Sequence, residues 1–409
     1  MRIIYLANRW PNVNETAAST RSLQIIYSLK ANGCDVTIAC VNPKNAAVKS
    51  FERDGIKCVA FQLNDQNFKH LLKQDNYNIA FFDTFLMEEK TSWMFQDVLP
   101  DCLTVLDTQD LHFLREARSE KPSFKASVDE LNFDRPKTYR ELASIYRCDL
   151  SLIISWEEFK LLKNHFNVDK ATLMYLPFMF DPHENKHDAY PFKDREGILM
   201  LGNFLHAPNL DQAVFFIDHL NAALQEKIHD VEVFIAGAFP TDRIIQKSKH
   251  QSHIKFLGYQ EDLMPIFNRC KLMISPLRFG AGLKGKLFDA INYGLPFVGS
   301  EIACEGLFGL DDTFVAKNND GFVAKTATLY KDEGSWQKAQ FQQSAIVKTH
   351  FDKNHFASQL TTRLTKLHQG LKKHRQNNHQ RNLILRQAFQ AHKYFSKWIE
   401  LKNQIKNET

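Results

Sequence analysis

The sequence lacks any apolar run of about 18 residues, the length that a membrane-spanning helix needs. Its first apolar run, at residues 3–7, is also too short for the core of a signal peptide. The seven cysteines are scattered and form no C-x-x-C pair, which argues against a zinc ribbon or a dithiol redox motif. We therefore expect a cytoplasmic protein whose cysteines are mostly buried, reduced thiols.

The sequence also lacks a cluster of metal ligands, and its excess of positive charge is not spread over the whole chain. No group of His, Cys and carboxylate residues has the spacing of a metal site, so we expect no bound metal. The net charge of +5 arises in residues 370–409, which hold nine Lys or Arg and two Asp or Glu. Aromatic residues in this basic segment recur at helical spacing, which suits packing better than base stacking, and we expect no nucleic-acid partner.

The sequence does contain short apolar runs that alternate with longer helical patterns. Strands are expected at residues 3–7, 36–41, 57–61, 79–83, 103–107 and 150–155, and then at 198–201, 231–236, 254–257, 272–275 and 297–299. Helices between them include residues 20–31, 156–165, 209–227 and 283–293. Runs that are apolar on both faces are typical of parallel strands covered by helices. The alternation predicts two doubly wound α/β domains around a cleft.

The alternation pauses at a polar stretch with three prolines, which is the best candidate for a linker. We therefore divide the chain into an N-terminal domain (residues 1–178), a linker (179–193), a C-terminal domain (194–352) and a helical basic segment (353–409). Ligands of such sheets bind beyond the carboxyl ends of the strands, so polar residues at strand ends are candidates for a site.

The basic segment carries an apolar stripe at three- and four-residue spacing over residues 384–405. The stripe predicts a helix that packs back on the N-terminal domain. The alternative is a helix that lies on an anionic membrane surface. We expect docking, together with peripheral contact at the inner membrane face through the exposed side chains of Lys372, Lys373, Arg375 and Arg381.

The most informative stretch is a loop between a predicted strand and a predicted helix, residues 280–286, which we call the glycine–lysine loop. Free backbone amides at such a helix start suit a phosphate or diphosphate, and Lys284 and Lys286 add positive charge. Asp289, one turn further on, is placed to accept hydrogen bonds from ribose hydroxyls. The loop is a poor match to both GxxxxGK(S/T) and GxGxxG. The alternative is a strand–helix connection with solvated lysines.

Several short motifs follow one another in a fixed order in the C-terminal half. They lie at residues 202–211, 256–263, 276–278, 280–286, 289–296 and 304–307. This series closely resembles the donor-binding half of GT-B glycosyltransferases of the family 4 (group 1) type, and the N-terminal half resembles the same family more loosely. The resemblance implies two Rossmann-like domains that face a cleft, with an acceptor-side N-terminal domain, a nucleotide-sugar-binding C-terminal domain and a C-terminal helix.

The resemblance also implies a reaction. A sugar would move from a UDP- or GDP-sugar, bound as a substrate, to a hydroxyl group of a glycan or lipid-linked glycan in polysaccharide biosynthesis. The anomeric configuration would be retained, and neither a cofactor nor a metal would be needed. In such chemistry, positive groups at the leaving diphosphate matter more than a strong nucleophile.

The residues expected to carry these roles are spread over both halves of the chain. His112 and Asp110, at a strand end, would form the catalytic pair at the donor sugar. The diphosphate would be bound by Gly282, Lys284, Gly285, Lys286 and Arg278, the nucleoside by Asp289 and Glu305, and the donor or acceptor loops would contain Asn203, His206 and Arg21. For the charged residues the alternative is a solvated surface position, and for the histidines it is a structural role.

The sequence departs from the family at one important position. Many members carry Glu-x7-Glu, and when this motif is aligned on Asp289 its first position is Ala281. That glutamate usually contacts the donor sugar. Two other interpretations therefore stay open: a non-catalytic GT-B-shaped subunit that binds a glycan or a partner enzyme, or a GT-B sugar-nucleotide epimerase or phosphorylase. Many members also carry Arg and Lys after the first strand of this domain, a role that we assign to Lys284 and Lys286.

Overall fold

A computed structural model of the chain describes residues 1–12, 16–63, 66–181, 190–310 and 312–386, together with Tyr394 and Trp398. These residues form two α/β domains, each built on its own parallel sheet and followed by C-terminal helices. The expected fold class is confirmed. All seven cysteines are buried and unpaired, as the sequence predicts.

The N-terminal domain contains a seven-stranded sheet with the order β3-β2-β1-β4-β5-β6-β7. Its strands are β1 (Arg2–Ala7), β2 (Asp35–Cys40), β3 (Lys57–Ala60), β4 (Ile79–Asp83), β5 (Leu103–Asp107), β6 (Leu150–Ile153) and β7 (Leu173–Tyr175). The first six agree with the predicted strands to within two residues. The seventh is missing from the prediction because three residues are too few to show a hydrophobic period.

Helices cover both faces of this sheet. They are α1 (Ala17–Ala31), α2 (Val48–Arg53), α3 (Gln66–Asp75), α4 (Thr84–Val98), α5 (His112–Ser119), α6 (Pro136–Arg147) and α7 (Trp156–Asn164). The first begins earlier than the predicted residue 20. The Oγ1 atom of Thr16 accepts a hydrogen bond from the backbone N–H of Ser19 at 3.1 Å, which caps the helix start.

The C-terminal domain contains a six-stranded sheet with the order β10-β9-β8-β11-β12-β13. Its strands are β8 (Ile198–Leu201), β9 (Val233–Ala236), β10 (Ile254–Gly258), β11 (Leu272–Ser275), β12 (Phe297–Ser300) and β13 (Val315–Ala316). Its helices are α8 (Ala207–Phe215), α9 (Asn221–Lys227), α10 (Asp242–Lys249), α11 (Met264–Arg269), α12 (Gly285–Asn292), α13 (Glu301–Cys304), α14 (Asn319–Lys331) and α15 (Glu333–His350). A π-helical turn, Phe216–Leu220, joins α8 to α9, so the single predicted helix 209–227 is interrupted.

Apolar side chains pack on both faces of each sheet. Two of these side chains are buried in the core of the opposite domain. Ala281, in the glycine–lysine loop, is buried in the core of the N-terminal domain. Phe124, from the loop after α5, is buried in the core of the C-terminal domain. Because each domain contributes a residue to the other's core, the two domains pack directly on each other along the cleft.

The chain passes between the domains twice, and the two passages lie side by side. The backbone N–H of Phe180 donates to the carbonyl of Phe351, and the N–H of Lys353 donates to the carbonyl of Phe180, both at 2.8 Å. The predicted linker, residues 179–193, lies at the first passage, and its residues 182–189 fall outside the described part of the chain.

The helices after the second passage lie against the N-terminal domain. They are α16 (Lys353–Gln369), α17 (Leu371–Asn377) and α18 (His379–Leu385). Leu360 and Leu364 of α16 join the core on the side of α1. The buried carboxylate of Asp149 accepts hydrogen bonds from the Nε and Nη2 atoms of Arg375 at 2.8 and 2.7 Å, and it lies 3.2 Å from the Nε of Arg381.

The prediction that Arg375 and Arg381 are exposed is wrong, because both guanidinium groups lie against the carboxylate of Asp149. Lys372 and Lys373 are exposed, as expected. Most of the predicted apolar stripe lies in residues 387–405, which, apart from Tyr394 and Trp398, are outside the described residues. Among the helices of the described part, none is long and apolar enough to cross a membrane.

The ion pair at Asp149 leads to a stability prediction. Arg375→Gln leaves a buried carboxylate without its main partner and should lower the free energy of unfolding by about 3 kcal/mol. The exposed Lys372→Gln on the same helix is the control and should change it by less than about 0.5 kcal/mol. Urea denaturation measures both. Equal stability of the two variants would contradict a role of this ion pair in holding α17.

Candidate active site

The glycine–lysine loop begins beyond the carboxyl end of β11 and runs into α12, at the cleft between the domains. Gly282 has φ +64°, and an added Cβ would lie 2.8 Å from the Cβ of Asp110. A Cβ on Gly285 would lie 2.7 Å from the Cβ of Ala17. Both glycines therefore allow the N-terminal domain to approach the loop more closely than any larger residue would permit.

The backbone N–H of Gly282 is already used within the protein. It donates to the Oε1 atom of Glu158 at 2.8 Å, and the same oxygen accepts from the N–H of Leu111 at 2.9 Å. The sequence predicts that this N–H faces a phosphate, but in the structure it donates to a carboxylate of the other domain. Burial, followed by the charge of Asp110, raises the pKa of Glu158. Its Oε2 atom is buried without a hydrogen-bond partner among the described residues.

Lys284 and Lys286 lie close together in the cleft, and both are half-buried. The Nζ atom of Lys284 donates to the carbonyl of Gly282 at 2.6 Å. The Nζ atom of Lys286 donates to the Oδ1 of Asn209 at 2.9 Å and to the carbonyl of Leu201, the last residue of β8, at 3.1 Å. The structure thus places both ammonium groups where the sequence predicts a diphosphate site.

The surroundings of the two lysines disfavour their charged forms. Burial, followed by the nearby charge of Lys284, lowers the pKa of Lys286 to about 7. Burial also lowers the pKa of Lys284, although the carboxylates of Glu305, Glu158 and Asp110 act in the opposite direction. An anionic ligand in the cleft would restore the positive charge of both side chains, because it would add the opposite charge that they lack.

His112 and Asp110 form a pair at the start of α5. The Nε2 atom of His112 lies 3.3 Å from the Oδ1 of Asp110, and Arg115 donates to the other oxygen of the same carboxylate. The N–H groups of His112 and Phe113 donate to the buried carboxylate of Glu141, which fixes the helix start. Burial lowers the pKa of His112 despite the charge of Asp110, so the imidazole is neutral at pH 7.

His206 brings the C-terminal domain to the same point of the cleft. Its ring is solvent-accessible, and its pKa is lowered first by partial burial and then by the charge of Arg115. It also interacts electrostatically with Asp110 and Lys286. The neighbouring Asn203 shapes this loop, since its Oδ1 accepts the N–H of Leu205 at 3.0 Å. The structure thus gathers His112, Asp110, His206 and both lysines around one cleft.

Two of the predicted basic residues are held elsewhere. The guanidinium of Arg278 pairs with Asp211, with a Nε–Oδ2 distance of 2.9 Å, and contact with a phosphate would require this pair to open. Arg21 is neither a surface charge nor a residue of a cleft loop. It is 1% exposed, and its Nε donates to the Oδ1 of Asp107 at 2.8 Å, because the buried carboxylate at the end of β5 needs a partner.

Glu305 is also committed to an ion pair. Its two oxygens accept hydrogen bonds from the Nη2 and Nη1 atoms of Arg118 at 2.6 and 2.7 Å. Both side chains are almost completely buried. Contact of Glu305 with a nucleoside stays a prediction, and it would have to use the lone pairs that this bidentate pair leaves free.

Asp289 is the predicted acidic residue that is open to a ligand. It lies one turn into α12, its side chain is solvent-accessible, and none of the described residues donates a hydrogen bond to its carboxylate. Protein atoms around the cleft raise the pKa of this carboxyl to about 7. Water that reaches this exposed carboxylate stabilises its charged form.

Sequence reasoning missed Glu158, Glu141 and Arg118. Glu158 lies in the first turn of the helix that follows β6, and this strand-end position is a signal that could have identified it. Glu141 lies in the interior of α6 and Arg118 in the last turn of α5, where no local pattern distinguishes them from surface charges. Among the described residues, no group of three or more His, Cys, Asp or Glu side chains could hold a metal ion.

Comparisons with known proteins identify the fold and one of the domains. The family model described as Glycosyl transferases group 1 matches residues 195–332. The structure of Anabaena HepE in complex with UDP is 13% identical, with a TM-score of 0.67, and the match covers 90% of this chain and 100% of that one. No curated protein matches the chain.

Two further solved structures have the same architecture. Sucrose-phosphate synthase from Thermosynechococcus elongatus is 12% identical, with a TM-score of 0.68 and coverage of 90% of this chain and 98% of that one. A mutant of S. aureus TarM, in complex with Fondaparinux, alpha-GlcNAc-glycerol and UDP, is 9% identical, with a TM-score of 0.67 and coverage of 89% and 99%. The chain therefore has the GT-B fold, and its residues 195–332 form a domain of the glycosyltransferase group 1 family.

Proposed function

We propose that the protein is a glycosyltransferase that moves a sugar from a UDP- or GDP-sugar to a hydroxyl acceptor in glycan or polysaccharide biosynthesis. One observation carries the proposal. Lys284 and Lys286, in the group 1 domain, lie at the start of α12, and Gly282 of the same loop lies against Asp110 of the other domain, which pairs with His112. This arrangement supports a site in which the lysines bind a leaving diphosphate and the Asp110–His112 pair faces a sugar.

The donor is bound by the C-terminal domain. Lys284 and Lys286 contact the diphosphate, and the open carboxylate of Asp289 accepts hydrogen bonds from the ribose. The solved complexes of HepE with UDP and with UDP-glucose, and of TarM with UDP, support a uridine nucleotide as the donor. The nucleotide-sugar is a substrate, and no cofactor takes part.

The charge that builds up on the leaving diphosphate is stabilised by the lysines. Two ammonium groups in a cleft of low dielectric constant interact more strongly with this charge than they would in water, and this role needs no metal ion. Asp110 orients the neutral imidazole of His112 toward the sugar. The carboxylate of Asp110 is itself held by Arg115, which makes it a weak nucleophile. Retention of the anomeric configuration follows the family that the sequence resembles.

The acceptor is a glycan or lipid-linked glycan that approaches from the N-terminal domain. We propose a cytoplasmic enzyme that touches an anionic membrane peripherally through exposed Lys372 and Lys373. Each basic residue near such a surface contributes about 1 kcal/mol, so two lysines give a weak and reversible contact.

A non-catalytic, GT-B-shaped binding subunit is the second candidate, and Ala281 favours it. Many members of the resembled family carry glutamate there, and this alanine is instead buried against the N-terminal domain. The two candidates differ in one measurable product. The purified protein should release nucleoside diphosphate from at least one of the UDP-, GDP- or ADP-sugars. A protein whose melting temperature rises with a nucleotide, yet which releases no nucleoside diphosphate in the presence of glycan acceptors, would be a binding subunit.

The pKa of Lys286 predicts how binding depends on pH. In the free protein this pKa is about 7, and a bound diphosphate raises it, so binding above pH 7 takes up a proton. Affinity for a nucleoside diphosphate should therefore fall by about tenfold from pH 7.5 to pH 8.5. Calorimetry in two buffers that differ in ionisation enthalpy measures the proton uptake directly.

Lys286→Met is the matched variant for this prediction. It keeps most of the length of the side chain and removes the titrating group, so both the pH dependence and the proton uptake should decrease. The two histidines of the cleft have lowered pKa values and are already neutral in this pH range. An affinity of the wild type that stays constant from pH 7.5 to pH 8.5 would rule out Lys286 as a diphosphate ligand.

His112→Ala should lower turnover by about 100-fold, the lower range for a well-placed catalytic group. Nucleotide affinity should change little, because the imidazole faces the sugar and not the diphosphate. His165→Ala is the control, since this histidine packs against Phe133 and Phe166 within the N-terminal domain. Steady-state kinetics with the best donor distinguish the two variants. Equal turnover of both would return His112 to a structural role.

A further inference from the structure

One segment of the N-terminal domain makes several of the contacts that reach the glycine–lysine loop. We call residues 118–126, which begin at the end of α5, the bridging segment. Its first residue, Arg118, is 3% exposed and carries the largest share of these contacts. A buried guanidinium must satisfy its charge and its donors within the protein, so its choice of partners is informative.

Arg118 ties together two separate parts of the C-terminal domain. Its Nη1 atom donates to the carbonyl of Gly280, the first residue of the loop, at 2.9 Å. Its Nη1 and Nη2 atoms also donate to the two oxygens of Glu305, which follows α13. One side chain of the N-terminal domain therefore fixes where the loop begins relative to the segment after β12.

The rest of the bridging segment strengthens the same attachment. The N–H of Ser123 donates to the carbonyl of Arg278 at 2.8 Å, and the N–H of Ile302 donates to the carbonyl of Phe124 at 3.2 Å. The ring of Phe124 is buried in the C-terminal core. The backbone just before Gly280 and just before Glu305 is thus held by hydrogen bonds and by apolar packing.

We propose that Arg118 is a positioning residue for the donor site: from the N-terminal domain it holds the glycine–lysine loop in the shape that presents Lys284 to the diphosphate. Arg118 has no contact with the diphosphate itself. Arg118 and His112 lie near opposite ends of α5, about 9 Å apart along the helix axis. A single rigid helix therefore sets the place of His112 relative to the loop. The inference rests on the proposed function, because it takes the loop to be the diphosphate site.

The alternative is that Arg118 only stabilises the closed arrangement of the domains. The buried ion pair of Arg375 with Asp149 provides a matched control, since it is also bidentate and lies at the C-terminal helices, outside the cleft. Loss of either arginine takes the bidentate partner from a buried carboxylate and lowers stability. Only the loss of Arg118 should change the binding of a diphosphate.

The experiment compares Arg118→Gln with Arg375→Gln by calorimetry, using inorganic pyrophosphate and whichever of UDP, GDP and ADP the wild type binds. Arg118→Gln should weaken both ligands by about tenfold or more, the scale for losing a charged hydrogen-bond partner. Arg375→Gln should bind like the wild type, although both variants melt at lower temperature. If the wild type binds none of these ligands, the proposed function fails. If Arg118→Gln binds them like the wild type, the positioning role fails and the proposed function stands.

A second comparison separates the shape of the loop from the charge of Glu305. Arg118→Gln leaves the carboxylate unpaired near Lys284, and this charge alone would repel a diphosphate. The double variant Arg118→Gln/Glu305→Gln removes that charge, but it still lacks the contact with Gly280. It should therefore still bind a diphosphate weakly. Recovery of wild-type affinity in the double variant would overturn the positioning role.

Arg118→Lys covers the case in which the glutamine variant fails to fold. Lysine keeps the charge but loses the bidentate fork, so it cannot hold Gly280 and both oxygens of Glu305 together. Its affinity for pyrophosphate should lie between those of the wild type and Arg118→Gln, or simply below that of the wild type if only this variant folds. Wild-type affinity in Arg118→Lys would show that the geometry of the contact is not needed.

Discussion

Positive charge enclosed between two domains is the constraint on which the cleft depends. Lys284 is half-buried in the cleft, and moving an ammonium group away from water is costly unless negative groups lie near it. Those groups come from both domains: Glu305 from the C-terminal domain, and Glu158 and Asp110 from the N-terminal domain. Two of these carboxylates also bind across the interface, since Glu305 pairs with Arg118 and Glu158 accepts the N–H of Gly282. Carboxylates that stabilise the positive charge of the loop therefore also help to hold the two domains together.

The departure at Ala281 follows from the same closure. Its side chain is buried among apolar residues of the N-terminal domain, where a glutamate would lack a partner and would cost free energy. The next residue, Gly282, is contacted instead by the carboxylate of Glu158. A carboxylate thus lies beside the loop even though the loop itself carries none at position 281. Packing and hydrogen bonding at this point agree with each other, which argues against an accidental loss.

The sequence predicts local structure, but it does not predict contacts between residues that are far apart along the chain. Strands that are apolar on both faces, such as β5 and β11, were predicted at their observed bounds, and the lysines of the loop lie in the cleft where the loop pattern puts them. The partners of Arg21, Arg278 and Glu305 could not be predicted, because they lie 67 to 187 residues away along the chain. Periodicity and motif spacing carry no information about such pairs.

The titratable groups of the cleft indicate which kind of ligand would bind there. Burial lowers the pKa values of Lys284, Lys286 and His112 and raises that of Glu158, so each group is pushed toward its neutral form. Such a site gains most from a ligand that carries concentrated negative charge, because the low dielectric constant that discourages the lysine charge also strengthens its attraction to that ligand. A leaving diphosphate becomes more negative as the glycosidic bond breaks. In the proposed reaction, the lysines of the cleft would therefore stabilise the transition state more than the bound donor, which is the condition for catalysis.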